Sequence, residues 1–279
     1  MPMRPPATLY MYCTPKAVAL LWDRRFKATS PHQLNDPFEF DPPIIGRASK
    51  ARLLKHFSQE HELRETYSIL KPAMSYEEYT KWYEQNGKAN AEALHKRQEN
   101  VRANAKEKFR VIREDLKVIC LSADPTGVLS WALYADKHRG FVIGIDSSEI
   151  EPSGLTKVRY SKKRPSINIK TALDASPAKM EELWRRAFCT KSLEWKHECE
   201  FRCIFRSKWA KRGADSDGNE VYYKPFKPSM IREVIFGSRC SKEDVIRNAL
   251  LDPDFRNVAL LRARLDNTNF EIHIEPCVV

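Results

Sequence analysis

Glu198 and Glu200, two residues apart with Arg202 a further two along, are the most chemically loaded spacing in the chain. Side chains alternate along a strand, so residues i, i+2 and i+4 share a face. The alternation from Glu198 to Phe205 predicts such a strand. Two carboxylates on one face can divide the work of cleaving a glycosidic bond. One stabilises the positive charge that develops at the anomeric carbon, and the other orients or deprotonates the acceptor. The same pattern also fits an ordinary amphipathic strand, with Cys199, Phe201 and Cys203 inward, the glutamates in solvent and Arg202 as a surface partner.

Other chemistries find less support. The seven cysteines are odd in number and scattered, which reads as reduced thiols. Cys199 and Cys203 are expected on one strand face, but a zinc site would need a second close pair of ligands and none is visible, so no metal is expected. Neither a Gly-x-Gly-x-x-Gly nor a Walker loop occurs.

Charge is uneven. Of the net +11, residues 155–212 hold 16 Lys or Arg against 6 Asp or Glu, and residues 47–114 hold 15 against 10. A local positive field favours a phosphate-bearing ligand such as a nucleic acid, with Lys157, Arg159, Lys162, Lys163 and Arg164 as the densest run. A solvated basic face explains the same composition.

The elements that must position these residues follow from periodicity. Strands are predicted at Leu9–Cys13, Arg25–Thr29, Lys117–Ser122, Gly140–Ile145, Leu155–Tyr160, Glu198–Phe205, Val221–Tyr223, Arg232–Phe236, Val258–Leu265 and Phe270–Ile274. Helices are predicted at Val128–Asp136, over most of Asn168–Lys191, and at Ser241–Leu251. Arg47 to Leu116 reads as a helical insertion, broken at Asn86-Gly87, with Tyr76, Tyr79 and Tyr83 as packing residues. Leu34-Asn-Asp-Pro-Phe38 is a turn signature. Trp131 and Tyr134, i and i+3 on a helix, are expected in the core, and His138 as a C-terminal cap. Tyr10 and Tyr12 share a strand face and are expected chiefly to pack. Strands joined mostly by turns exclude a simple Rossmann architecture. The expected fold is α+β, a single domain over 1–279 with a mainly antiparallel mixed sheet and a helical insertion at 47–116. No apolar run nears the ~20 residues of a membrane span, and the Pro-rich start lacks the apolar region of a signal peptide. The cytoplasm is therefore the expected compartment.

Four ordered motifs carry a family resemblance. They are Leu9-Tyr-Met-Tyr with Ser30-Pro-x-x-Leu-Asn-Asp-Pro-Phe38; Val118-Ile-Cys-Leu-Ser122 with Leu129-Ser-Trp131, Tyr134 and His138-Arg-Gly140; Val158-Arg-Tyr160; and Lys191, Trp195 and Glu198-Cys-Glu200-Phe-Arg202. Together they resemble the bacterial family known as domain of unknown function 2971, with Leu121 and Phe201 departing from its usual Phe and Tyr. The order of segments is more distantly similar to NAD-dependent ADP-ribosyltransferase-like folds of toxin and phage-defence (abortive-infection) branches. That resemblance implies NAD as a substrate, Glu200 as catalytic carboxylate and Glu198 as its partner. Tyr12, Ser30 and Tyr160 would line the nicotinamide end, with Asn35, Ser122 and Arg202 as further cofactor-binding candidates and a nucleic acid or protein as acceptor. Two alternatives stay open: a nucleic-acid module that uses the basic 155–212 surface without NAD, and a non-catalytic scaffold.

Overall fold

The computed structural model describes residues 5–57, 59–60, 63–64, 67–68, 73–96, 98–150, 155–214, 218 and 220–277. The chain forms two compact units, one from residues 1–35, 116–162 and 191–279, the other from 36–115 and 163–190.

The first unit is built on an eight-stranded sheet. Its strands are β1 (Thr8–Cys13), β2 (Leu116–Ser122), β3 (Phe141–Asp146), β4 (Leu155–Lys157), β5 (Glu200–Arg206), β6 (Ile231–Phe236), β7 (Ala259–Leu265) and β8 (Ile272–Pro276). They lie in the order β8-β7-β6-β3-β1-β2-β5-β4. Only β6 and β7 run parallel, joined through the helix Glu243–Ala249; every other neighbouring pair is antiparallel. The expected α+β class with a mostly antiparallel sheet is therefore what the chain forms.

Alternation assigns the two faces of this sheet. Leu9, Met11 and Cys13 of β1 join Ile119, Leu121, Phe141, Ile143, Phe201 and Cys203 in the larger core. Tyr10 and Tyr12 turn to the other face, against a core of Trp131, Ala135, Val142, Ile235, Ala263 and Ile272. Registers are set across the middle: Tyr10 pairs with Ser122, and Ser122 with Glu200. Directly paired residues share a face, so Tyr10, Ser122 and Glu200 form one row on the Trp131 side.

A three-stranded sheet, Lys211–Ala214, Glu220–Pro225 and Arg25–Ala28, completes this unit. Its first strand was not expected, because Lys-Arg-Gly-Ala has neither alternation nor β-branched residues. Leu155–Tyr160 forms two short strands, Leu155–Lys157 and Arg159–Ser161, about the buried Val158.

The second unit is mainly helical, with helices Lys50–Phe57, Tyr76–Lys96, Gln98–Asp115, Ile169–Leu173 and Pro177–Phe188 and a short parallel pairing of Ile44–Ile45 with Ile167–Asn168. Phe40 stacks on Phe188 at 4.7 Å and Phe109 on Trp184 at 4.6 Å. Asn86-Gly87 does not break its helix. A glycine in mid-helix costs only about 1 kcal/mol relative to alanine, which a 21-residue helix absorbs. Asp36 makes the expected turn, its Oδ1 accepting from the Phe38 N–H at 2.9 Å. Among the described residues no helix is long and apolar enough to cross a membrane.

Gly140 is required by close approach. A Cβ on Gly140 would lie 2.0 Å from the Cys13 carbonyl oxygen and 3.1 Å from that of Ala135, both backbone atoms that cannot swing aside. Overpacking costs about 1–3 kcal/mol. Gly140→Ala is expected to lower unfolding stability by the upper part of that range in urea denaturation; an unchanged midpoint would contradict the close packing of β1 against this turn.

Candidate active site

Both faces of β5 are covered, and this decides the state of its charged residues. Glu200 is 4% and Arg202 0% exposed, while Phe201 and Cys203 fill the opposite face. The expected solvent face of the strand is therefore an interior one. An unpaired buried charge is prohibitive, and each of these has a partner. Arg202 donates from Nε to Glu200 Oε1 at 2.8 Å and from a terminal nitrogen to Oε2 at 2.9 Å, a two-point clamp. The expected surface pair is thus a buried one.

Glu198 reaches the same place by another route. The strand begins only at Glu200; Leu193–Glu198 is a 3-10 turn that ends on Cys199 in a left-handed conformation, with φ 48°. Such backbone at a residue other than glycine costs on the order of 1 kcal/mol. Cys199 is held there by its N–H bond to Lys196 O at 3.3 Å and by the Ala123 N–H donating to its carbonyl at 3.0 Å. Simple alternation through residues 198–203 is therefore overturned, and Cys199 and Cys203 do not belong to one strand.

Lys191 joins the two carboxylates. It lies on the short strand Thr190–Ser192, where the sequence pattern continued a helix. Its ammonium is 2.6 Å from Glu198 Oε2 and 3.5 Å from Glu200 Oε2, with the Trp195 ring centroid 4.5 Å away. Lys191 is 7% and Glu198 6% exposed. The remaining Glu198 oxygen accepts from the Tyr134 hydroxyl. Asn35 donates to that hydroxyl from Nδ2 at 3.4 Å. Tyr134 is half-buried and Asn35 exposed, so hydrogen bonds lead from the surface to the interior carboxylates.

Three further candidates hold the backbone of this cluster. Ser122 Oγ donates to the Glu198 carbonyl at 2.7 Å and accepts from the Asp124 N–H at 3.0 Å. Tyr160 Oη accepts from the Glu200 N–H at 2.8 Å. Tyr12 donates to the Asp124 carbonyl at 2.7 Å and sets its ring edge-on to Trp131 at 5.4 Å. Ser30 is buried at the head of another 3-10 turn, where Gln33 bonds its N–H, and none of the contacts above reaches it.

Tyr134 and Lys191 stand in the family motifs, but sequence reasoning gave neither a role at the site. Trp131 is fully buried as expected, but Tyr134, three residues on, is rotated toward the carboxylates. Its place is fixed by the seven-residue helix Val128–Tyr134, with Trp131 Nε1 bonded to the Pro125 carbonyl at 2.8 Å. His138 follows in the left-handed region at φ 68°, its N–H donating to the Trp131 carbonyl, as a residue closing the helix should.

The electrostatics follow from burial and pairing. Burial pushes the Tyr134 phenol up, and its hydrogen bond to Glu198 adds to this. Burial likewise raises Tyr12 and Tyr160. For Glu200, burial acts upward, but the Arg202 charge and hydrogen bonds, then Lys191, outweigh it and hold the carboxyl below its ordinary value. The basic 155–212 stretch is correspondingly less available than its charge suggests. Lys191 and Arg202 are interior and paired, while Lys157, Arg159 and Lys162 remain exposed.

Two predictions follow from this cluster. Removing one partner of a buried ion pair costs about 3–5 kcal/mol, because the other charge is stranded. Lys191→Met is expected to fall in that range in urea denaturation, and adding Glu198→Gln should recover part of the loss; strictly additive losses would contradict the coupling. The second concerns acid. A carboxyl whose folded pKa is depressed stabilises fully above the unfolded value of about 4.3 and loses that contribution as pH falls through the folded value. Wild-type stability should therefore drop as pH falls below about 5. Glu200→Gln should be less stable at neutral pH yet show a shallower drop; parallel curves would contradict a depressed Glu200.

No curated protein and no solved structure matches the chain. A family model does match, over residues 130–203, the stretch that carries Tyr134, Lys191, Glu198, Glu200 and Arg202. The family it represents is described as protein of unknown function, DUF2971, and this segment of the chain is similar to it.

Proposed function

We propose that the protein is an NAD-consuming, ADP-ribosyltransferase-like enzyme whose reacting centre is built on Glu198 and Glu200. The observation that carries this reading is the convergence of two carboxylates on one ammonium, 2.6 and 3.5 Å away, in a site connected to the surface through Tyr134. The chemistry asks for little else. The nicotinamide of NAD leaves with the bonding pair as a neutral ring, so no general acid is needed at the leaving group. What is needed is negative charge beside the anomeric carbon and a base for the acceptor, and charge held in a water-poor site acts more strongly than in bulk.

The two carboxylates differ in suitability. Glu200 has both oxygens committed to Arg202, so its role is to fix the charge pattern. Glu198 also has both oxygens bonded, but one of its partners is the half-exposed Tyr134, so it takes the place beside the reacting carbon. The exposed Lys157, Arg159 and Lys162 suit the phosphates of NAD or of a nucleic-acid acceptor.

The test is nicotinamide release from NAD by purified protein, alone and with RNA, DNA or cell lysate. Wild type is expected to release it, and Glu198→Gln to do so about 10²–10³ more slowly, the range for loss of one electrostatic stabiliser. No release under any of these conditions overturns the reading.

A further inference from the structure

We infer that Tyr134 is a catalytic proton relay, taking the acceptor's proton on its phenol oxygen while passing its own proton to Glu198. This rests on the reading above and assigns that site a residue facing the acceptor.

Exposure is graded along a single line of contacts. Arg202, Glu200, Lys191 and Glu198 are all 7% exposed or less, Tyr134 is half-buried, and Asn35 lies at the surface. Tyr134 is thus more exposed than either carboxylate. Each partner of its hydroxyl fits a relay. Glu198 Oε1 already accepts its proton, so the receiving base is in place. The same hydroxyl oxygen accepts from Asn35 Nδ2 at 3.4 Å, well beyond the usual 2.9–3.0 Å of an N–H···O bond. An acceptor O–H or N–H displaces that contact at small cost.

The phenol is also held in place. It lies at the end of the helix whose Trp131 is locked between Tyr12 and the Pro125 carbonyl. Asp136, Lys137 and His138 follow in left-handed backbone, which turns the chain immediately after the tyrosine's helix. Burial and the neighbouring carboxylate keep the phenol protonated at rest, as a relay requires.

The bond from the anomeric carbon to the nicotinamide nitrogen breaks, and its electron pair neutralises the pyridinium ring. The acceptor oxygen or nitrogen forms a bond to that carbon. Its proton moves to Tyr134 Oη as the Tyr134 proton moves to Glu198 Oε1. Glu198 then returns the proton to solvent by the same path, and no other reagent is consumed.

The experiment measures NAD cleavage with water as the probe acceptor. Tyr134→Phe keeps the ring and deletes the hydroxyl. A general acid or base contributes about 10²–10⁴-fold, so kcat should fall at least about 10²-fold. KM for NAD should stay within about twofold, and the pH dependence of kcat should flatten. A merely structural tyrosine would not combine these three effects. Wild-type cleavage combined with an unaltered Tyr134→Phe rate and pH profile overturns the relay but leaves the enzyme reading intact. Absence of wild-type cleavage overturns both. Where Tyr134→Phe does not fold, replacing Tyr134 by its 3-fluoro analogue preserves shape and hydrogen bond while making the phenol more acidic. The relay then predicts a shifted pH–rate profile, and an unshifted one overturns it.

Discussion

The ion cluster of Lys191, Glu198, Glu200 and Arg202 is the constraint around which the sheet half of this protein is arranged. Taking a carboxylate or an ammonium out of water costs several kcal/mol even after relaxation. Two carboxylates, one ammonium and one guanidinium are buried here, so the arrangement survives only because every charge meets an opposite one at hydrogen-bond or near-contact distance. Apolar side chains of similar volume often give an equal or more stable interior.

Much of the surrounding geometry makes sense as support for that cluster. Ser122 and Tyr160 bond their hydroxyls to the backbone of Glu198 and Glu200. The left-handed Cys199 lets the chain pass from the 3-10 turn into β5 with both glutamates directed at one lysine. Trp131 fills the core on the Tyr12 side and fixes the helix that presents Tyr134. The sheet core and the site thus share residues, and a single face of β1, β2 and β5 serves both.

The sheet was legible in the sequence because its strands alternate or run apolar between turn signals, and β1, β2, β3, β5 and β6 fall within two residues of their expected bounds. The site was legible only in part. Spacing singled out Glu198, Glu200 and Arg202, but for a reason that fails at Cys199, since periodicity carries no information about a left-handed residue held by distant backbone contacts. Tyr134 was placed with Trp131 because i and i+3 lie near each other on a helix. In a seven-residue helix the ~60° between them is enough to put one in the core and the other at its rim. Lys191 was hidden because a buried lysine differs from a surface one only through partners that the fold brings to it. The unbroken helix through Asn86-Gly87 shows the opposite error, a local signal overruled by the length of its surroundings.

The most direct test of this account is a crystal structure of the protein with nicotinamide bound. The carboxamide-bearing ring should lie against Tyr134, close to Glu198, with the Asn35 contact displaced and the Glu200–Arg202 clamp intact. A ring bound away from this cluster, or an unchanged cluster at saturating nicotinamide, would contradict it.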